Sequence, residues 1–168
     1  DKKKTVITGN PLRNSIFKVN KKPFSIEKTK SVIYITGGSL GSHSINHIIE
    51  EILPELLKKY TIIHQTGNIK EYGDFERLSR YKDKNYFLRT HFTNEEIGFV
   101  YSISDMVIAR SGANTLFELI ALKKPAILIP LPNAGNNHQL ANAEILSGND
   151  AAILLRQETT KPEDLLRT

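Results

Sequence analysis

Short apolar runs alternate along this chain with longer stretches in which apolar residues recur every three or four positions. Val32-Ile33-Tyr34-Ile35, Met106-Val107-Ile108-Ala109 and Pro125-Ala126-Ile127-Leu128-Ile129-Pro130 are continuous runs of the kind seen in strands covered on both faces. Between them, Ile45, Ile48, Ile49, Ile52, Leu53, Leu56 and Leu57 share one helical face, as do Leu116, Leu119, Ile120 and Leu122. The pattern predicts strands near 32–36, 61–66, 85–90, 106–109, 126–130 and 151–155. It predicts helices near 43–58, 69–80, 94–103, 113–122 and 137–147, with a further helix starting at Lys161-Pro162-Glu163 and a bend in the first helix at Pro54. Such alternation implies an α/β fold, a doubly wound parallel sheet of Rossmann type. Residues 18–30 are polar, carry Pro23, and read as a loop or tether leading into the sheet.

In a doubly wound sheet, ligands sit beyond the carboxyl ends of the strands, so the turns after the strands are where chemistry is sought. The most informative of them is Arg110-Ser111-Gly112-Ala113-Asn114-Thr115-Leu116-Phe117-Glu118. Small residues at a helix start leave its first N–H groups uncovered, and these, with the helix dipole, attract a phosphate. Glu118 lies roughly 7 Å further along the axis at about 1.5 Å per residue, where a carboxylate accepts from both hydroxyls of a ribose. Read blandly, Ser111 is an N-cap and Glu118 an ordinary early-helix acid.

Two more turns have related chemistry. Thr36-Gly37-Gly38-Ser39-Leu40-Gly41-Ser42 joins a strand to a helix, with Ser39 as a phosphate candidate. Asn133-Ala134-Gly135-Asn136-Asn137 leads into His138-Gln139-Leu140-Ala141-Asn142, where the amides of Gln139 and Asn142 suit sugar hydroxyls. A fourth turn carries Arg89-Thr90-His91-Phe92-Thr93, with Phe92 placed to pack on a flat base or, equally, to serve as core.

Composition narrows the class without naming it. At 168 residues the chain suits one domain that buries roughly 70% of its unfolded surface. It has no cysteine, so disulfides and thiolate metal sites are excluded. No apolar run approaches the ~20 residues of a membrane span. The net charge of +5 comes from lysines at the ends and in turns, including Lys2 to Lys4, Lys58, Lys59, Lys123 and Lys124, a pattern of solvated surface rather than of nucleic-acid binding.

The motif order GGSLGS, RSGANTLFE and PAILIP followed by NNHQLANA resembles the donor-binding half of the MurG-type N-acetylglucosaminyltransferases, which complete the bacterial cell-wall lipid precursor. Thr8-Gly9-Asn10-Pro11-Leu12-Arg13 is similar to that family's segment at the junction of its two domains. The resemblance runs from about residue 5 to the end. It implies one domain of a two-domain GT-B glycosyltransferase, with residues 1–30 as interdomain junction and tether and 31–168 as the nucleotide-sugar domain. The missing initiator Met and the stop just inside a helix suggest a piece of a longer chain.

The resemblance also implies a reaction: inverting transfer of N-acetylglucosamine from its uridine diphosphate donor to a lipid-linked muramoyl-peptide. By analogy Ser39 touches the phosphates, Asn114 and Thr115 give backbone N–H groups, Glu118 holds the ribose, and Gln139 with Asn142 holds the sugar. Arg13, Phe92, Thr93, Arg110, Ser111, Gly112, Ala113 and His138 complete the expected donor site, His138 standing where many relatives carry Gln. The general base is expected on the other domain, so no catalytic residue is assigned here. No cofactor is expected, nor a metal, since the chain has no Asp-x-Asp pair. The expected partners are the donor, a lipid-linked acceptor reached through the other domain and an anionic membrane surface, with no nucleic acid. The expected location is the inner face of the bacterial cell membrane.

Two rivals stand beside this reading. Gly37-Gly38-Ser39-Leu40-Gly41 fits the G-x-S-x-G elbow of serine hydrolases, with Asp105 and His138 as the one completion of a triad. A donor-binding subunit of a split transferase is the other. His64, on a strand, reads as a satisfied, partly buried imidazole rather than a ligand.

Overall fold

The structure, a computed structural model, describes residues 4, 6, 9–132, 134, 135 and 137–168. Thr8 of the junction motif, Asn133 and Asn136 of the polar turn, and Lys2 and Lys3 therefore lie outside the described residues.

The predicted strands form one six-stranded sheet: β1 (Val32–Thr36), β2 (Thr61–Gln65), β3 (Tyr86–Arg89), β4 (Met106–Ala109), β5 (Ala126–Leu128) and β6 (Ala152–Leu154). Their order is β3-β2-β1-β4-β5-β6 and all pairings are parallel. Continuous apolar runs have this outcome because both faces are covered. On β1, Val32 and Tyr34 join one core while Ile33 and Ile35 join the other. The chain reverses its direction of travel across the sheet between β1 and β4, which opens a crevice at their carboxyl ends.

One face is covered by α1 (His43–Lys59), α2 (Asp74–Leu78) and α6 (Pro162–Arg167), the other by α3 (Ile97–Ile103), α4 (Ala113–Ala121) and α5 (His138–Ser147). Helix α1 continues through Pro54 to Lys59. Two predicted helices are shorter than expected. Gly73, in the left-handed conformation at φ 59°, is the N-cap of α2, which begins at Asp74 rather than 69, and α3 begins at Ile97 rather than 94.

The segment expected as a loose tether is docked. A 3-10 turn (Asn14–Phe17) buries Ile16, and Phe24 stacks on Phe87 with ring centroids 4.5 Å apart and meets Phe92 and Phe99 edge-on. Gly98 of α3 makes the docking possible, because a Cβ there would lie 1.9 Å from the Lys18 carbonyl oxygen. At the other end, Asp105 accepts both the Lys28 ammonium and the Val32 N–H, each at 2.8 Å.

Candidate functional site

The crevice at the strand reversal is a cavity of about 360 Å³. Its walls are the junction segment (Pro11, Leu12, Arg13), the turn after β1 (Gly38, Ser39), the loop after β3 (His91, Phe92) and the first turns of α4 (Asn114, Thr115, Glu118), with Tyr34, Gln65 and Tyr101 below. Six predicted site residues thus meet in one place, namely Arg13, Ser39, Phe92, Asn114, Thr115 and Glu118.

The start of α4 is open, as its small residues predict. Gly112 is the N-cap and no side chain caps the helix, so the first-turn N–H groups face the cleft mouth. Asn114 keeps its side chain aside by accepting from the Asn10 amide at 3.3 Å. Opposite, Ser39 is exposed and its hydroxyl bonds to no described residue. The glycines around it are required by close packing. Gly41 has φ 90°, and a Cβ on it would lie 2.0 Å from the Thr66 carbonyl oxygen, while Gly67 has φ 89° and would collide with Leu40.

Glu118 is the best-held acid of the cleft, with only 6% of its side chain exposed. One carboxylate oxygen accepts from Arg13 Nε at 2.8 Å and the other from the Tyr101 hydroxyl at 2.9 Å. Arg13 also donates to Asn94 at 3.1 Å. Burial lowers the Arg13 pKa, but the hydrogen bond and charge of Glu118 outweigh it, so the guanidinium is held above its ordinary range. Burial, Tyr34 and the Glu118 carboxylate together push the Tyr101 phenol well above 10. Below them Gln65 joins three walls. Its amide donates to the Thr36 hydroxyl at 3.2 Å and the Gly38 carbonyl at 3.0 Å, and its oxygen accepts the Phe92 N–H at 3.1 Å.

Phe92 and the predicted site residues outside the cavity have structural partners of their own. Phe92 is 1% exposed with its ring in the aromatic core, so it offers no free face for stacking. Thr93 spends its N–H and hydroxyl on Glu96, at 3.0 and 3.1 Å, in the turn before α3. Arg110 points away from the cleft. Its guanidinium donates to the carbonyls of Ile129 and Pro130, to Ser42 Oγ and to Gln157, all within 3.0 Å, and burial lowers its pKa to about 10.

Ser111 is fully buried and bonds the Gln139 carbonyl at 2.7 Å, while Asn142 donates to the Ser111 carbonyl at 3.0 Å. The Gln139 side chain accepts from Leu131 N–H at 3.0 Å, and His138 bonds Gly135 at 2.8 Å. Of these, Ser111, the Gln139 carbonyl and the Asn142 amide clamp α5 to the start of α4. None of them lines the cavity, nor do Gly112 and Ala113, which act through backbone geometry.

Tyr34, Gln65, His91 and Tyr101 are among the lining residues that sequence reasoning missed. Gln65 had a usable signal, as a polar side chain closing the buried strand run Thr61-Ile62-Ile63-His64-Gln65. The hydrolase triad fails on geometry. Asp105 precedes β4 and Ser39 follows β1, so the two lie at opposite ends of a parallel sheet.

Among the described residues there is no group of three or more His, Cys, Asp or Glu able to hold a metal ion. A separate polar cluster lies behind the turn after β1. His64 is fully buried, with Nε2 3.0 Å from Asn46 Oδ1 and Nδ1 3.1 Å from the Tyr86 hydroxyl. Both Asn46 amide hydrogens are used, on Thr66 and Asp74, so Asn46 Oδ1 accepts from His64 and the ring is neutral with its proton on Nε2. Burial holds the His64 pKa down at about 3. Burial raises the Asp74 pKa, but bonds from Asn46, His43 and Arg77 overcome this and leave it below the usual carboxylate range.

An open 3-2-1-4-5-6 parallel sheet, with a bare helix start and an internal carboxylate at its reversal point, has the Rossmann-like architecture in which ligands sit at the strand reversal. The chain belongs to the glycosyltransferase family 28 C-terminal domain family, which it matches over residues 32–168.

It is 39% identical over 162 residues to the UDP-N-acetylglucosamine--N-acetylmuramyl-(pentapeptide) pyrophosphoryl-undecaprenol N-acetylglucosamine transferase of Prochlorococcus marinus strain MIT 9215, covering 95% of this chain and 43% of that protein. A Bacillus cereus transferase of the same name, numbered 2, is 34% identical, with 99% and 47% covered. The crystal structure of Acinetobacter baumannii MurG superposes with a TM-score of 0.67 at 31% identity, over 84% of this chain and 41% of that one. The chain thus spans less than half the length of these relatives.

Proposed function

We propose that this chain is the donor-binding half of a MurG-type N-acetylglucosaminyltransferase. It would bind uridine diphosphate N-acetylglucosamine for transfer to a lipid-linked muramoyl-peptide, as the names of its relatives describe, and the transfer would be inverting. The observation that carries the reading is the cleft itself, where the uncapped start of α4 faces Ser39 and Glu118 lies a turn and a half inside.

Bond breaking leaves negative charge on the diphosphate, and helix N-termini with backbone N–H groups are preorganised to stabilise it. The first-turn N–H groups of Asn114 and Thr115 and the Ser39 hydroxyl take the phosphates in this reading, and Glu118 takes the ribose. Arg13 borders the same site from the junction segment. Gln139 and Asn142 act at one remove, by holding α5 against Ser111. The general base would come from the rest of the enzyme, so this chain alone binds donor without turnover.

The whole enzyme would then work at the inner face of the bacterial membrane, drawn to anionic lipid and to its lipid-linked acceptor, with no role for nucleic acid. No helix among the described residues is long and apolar enough to cross a membrane.

Calorimetric titration with uridine diphosphate N-acetylglucosamine, beside guanosine and thymidine diphosphate sugars and with or without chelator, tests the reading. Preference for the uridine donor is expected, unchanged by chelator. Glu118→Ala should weaken it by about 1.5–3 kcal/mol, the range for bonds to a charged group. Equal affinity for all three nucleotides, or a tenfold loss in chelator, overturns it.

A further inference from the structure

The carboxylate of Glu118 can present its oxygens to a pair of vicinal hydroxyls only if three side-chain torsions are held. Two groups hold it, and they differ in kind. Arg13 is 41% exposed, belongs to the junction segment and shares itself with Asn94. An ion pair this open to water is exchangeable, and an incoming ribose competes for the same oxygen. Tyr101 is 3% exposed, projects from the middle of α3, and packs against Tyr34 at right angles with ring centroids 5.6 Å apart. Its hydroxyl approaches Glu118 Oε2 from the protein side, beneath the cavity. That bond survives when the cleft fills.

Resting on the proposed ribose role of Glu118, we infer that Tyr101 is the positioning residue of the nucleotide site: its buried hydroxyl pins one Glu118 oxygen so that the other faces the ribose. The buried phenol keeps its proton across the working pH range, so it is always a donor to the carboxylate. The phenyl ring supplies the packing and the hydroxyl supplies the aim, and Tyr101→Phe separates the two.

The test compares uridine diphosphate with its 2′-deoxy form, on the native chain, on Tyr101→Phe, on Glu118→Ala and on the double variant. The native chain should prefer the ribonucleotide. Tyr101→Phe should lose about tenfold in affinity for it and less than about twofold for the deoxy form, so that discrimination collapses. In the Glu118→Ala background the tyrosine change should add nothing, because no carboxylate remains to be aimed. Discrimination is the ratio of the two affinities on one sample, and a lowered folded fraction scales both alike, so the comparison stands if Tyr101→Phe alone folds poorly.

A Tyr101→Phe variant that discriminates as well as the native chain overturns the inference alone. So does an equal loss on both nucleotides, which would mark a packing role. A native chain that binds both nucleotides equally refutes the ribose role of Glu118 itself.

Discussion

Acidification from pH 7.5 to 5 should destabilise this domain through His64, by an amount that follows from its burial. The ring is neutral in the folded state, with a pKa of about 3 against an ordinary 6.5. A depressed pKa means that the unfolded chain binds a proton that the folded one refuses. Stability is therefore full above about pH 6.5 and falls as pH drops from there toward 3. At pH 5 the unfolded imidazole is almost wholly protonated and the folded one is not, which costs roughly 2 kcal/mol relative to pH 7.5. For a domain of this size that is roughly 4–8 °C in melting temperature. Asp74 does not blur the window, since its depressed pKa removes stability only below its ordinary 3.8. The assay is thermal unfolding of the native chain and of His64→Gln at both pH values, the amide still offering a donor to Asn46. The variant should start less stable and lose about 2 kcal/mol less on acidification. An acid sensitivity identical in both proteins would show that His64 is not the group responsible and that the neutral buried ring is misassigned.

Ser39→Ala should weaken uridine nucleotide binding by about 0.5–1.5 kcal/mol, or up to ~3 if the bond to a charged phosphate dominates, with an unchanged melting temperature. A fluorophosphonate should leave Ser39 unmodified in mass spectra, and stoichiometric labelling would restore the hydrolase reading. Arg110→Met should lower stability by about 2–5 kcal/mol because it strands the carbonyls of Ile129 and Pro130 and the Ser42 hydroxyl, and Arg110→Lys should recover only part, lacking the planar fork. A calorimetric melting point unmoved by Arg110→Met would show that the guanidinium is dispensable for the fold.

The middle of the sheet was legible because β1, β4 and β5 are covered on both faces and so read as unbroken apolar runs such as Val32 to Ile35. Helix α2 was not, since nothing in the 69–80 pattern reveals that Gly73 turns left-handed and delays the helix. The cleft was half legible. A bare helix start and its internal acid are local features, whereas the bonds that give the other residues their roles link distant positions. Tyr101 reaches Glu118 across 17 positions and Gln65 reaches Phe92 across 27. The partners of Arg110 were not legible either, because only the folded chain shows the two carbonyls beyond β5 that its guanidinium bonds.

Phe24, Ile16 and the Lys21 N–H, which bonds the Glu95 carbonyl at 3.0 Å, fasten the entering segment to α3 before the chain reaches β1. Mechanically that segment is a splint and not a swivel. The fastening continues upstream through Leu12, which packs on the same core, and Asn10, which bonds Asn114, so any motion of this domain would carry residues 10–28 along as one piece. The Arg13 guanidinium would travel with that piece and keep its bond to Glu118.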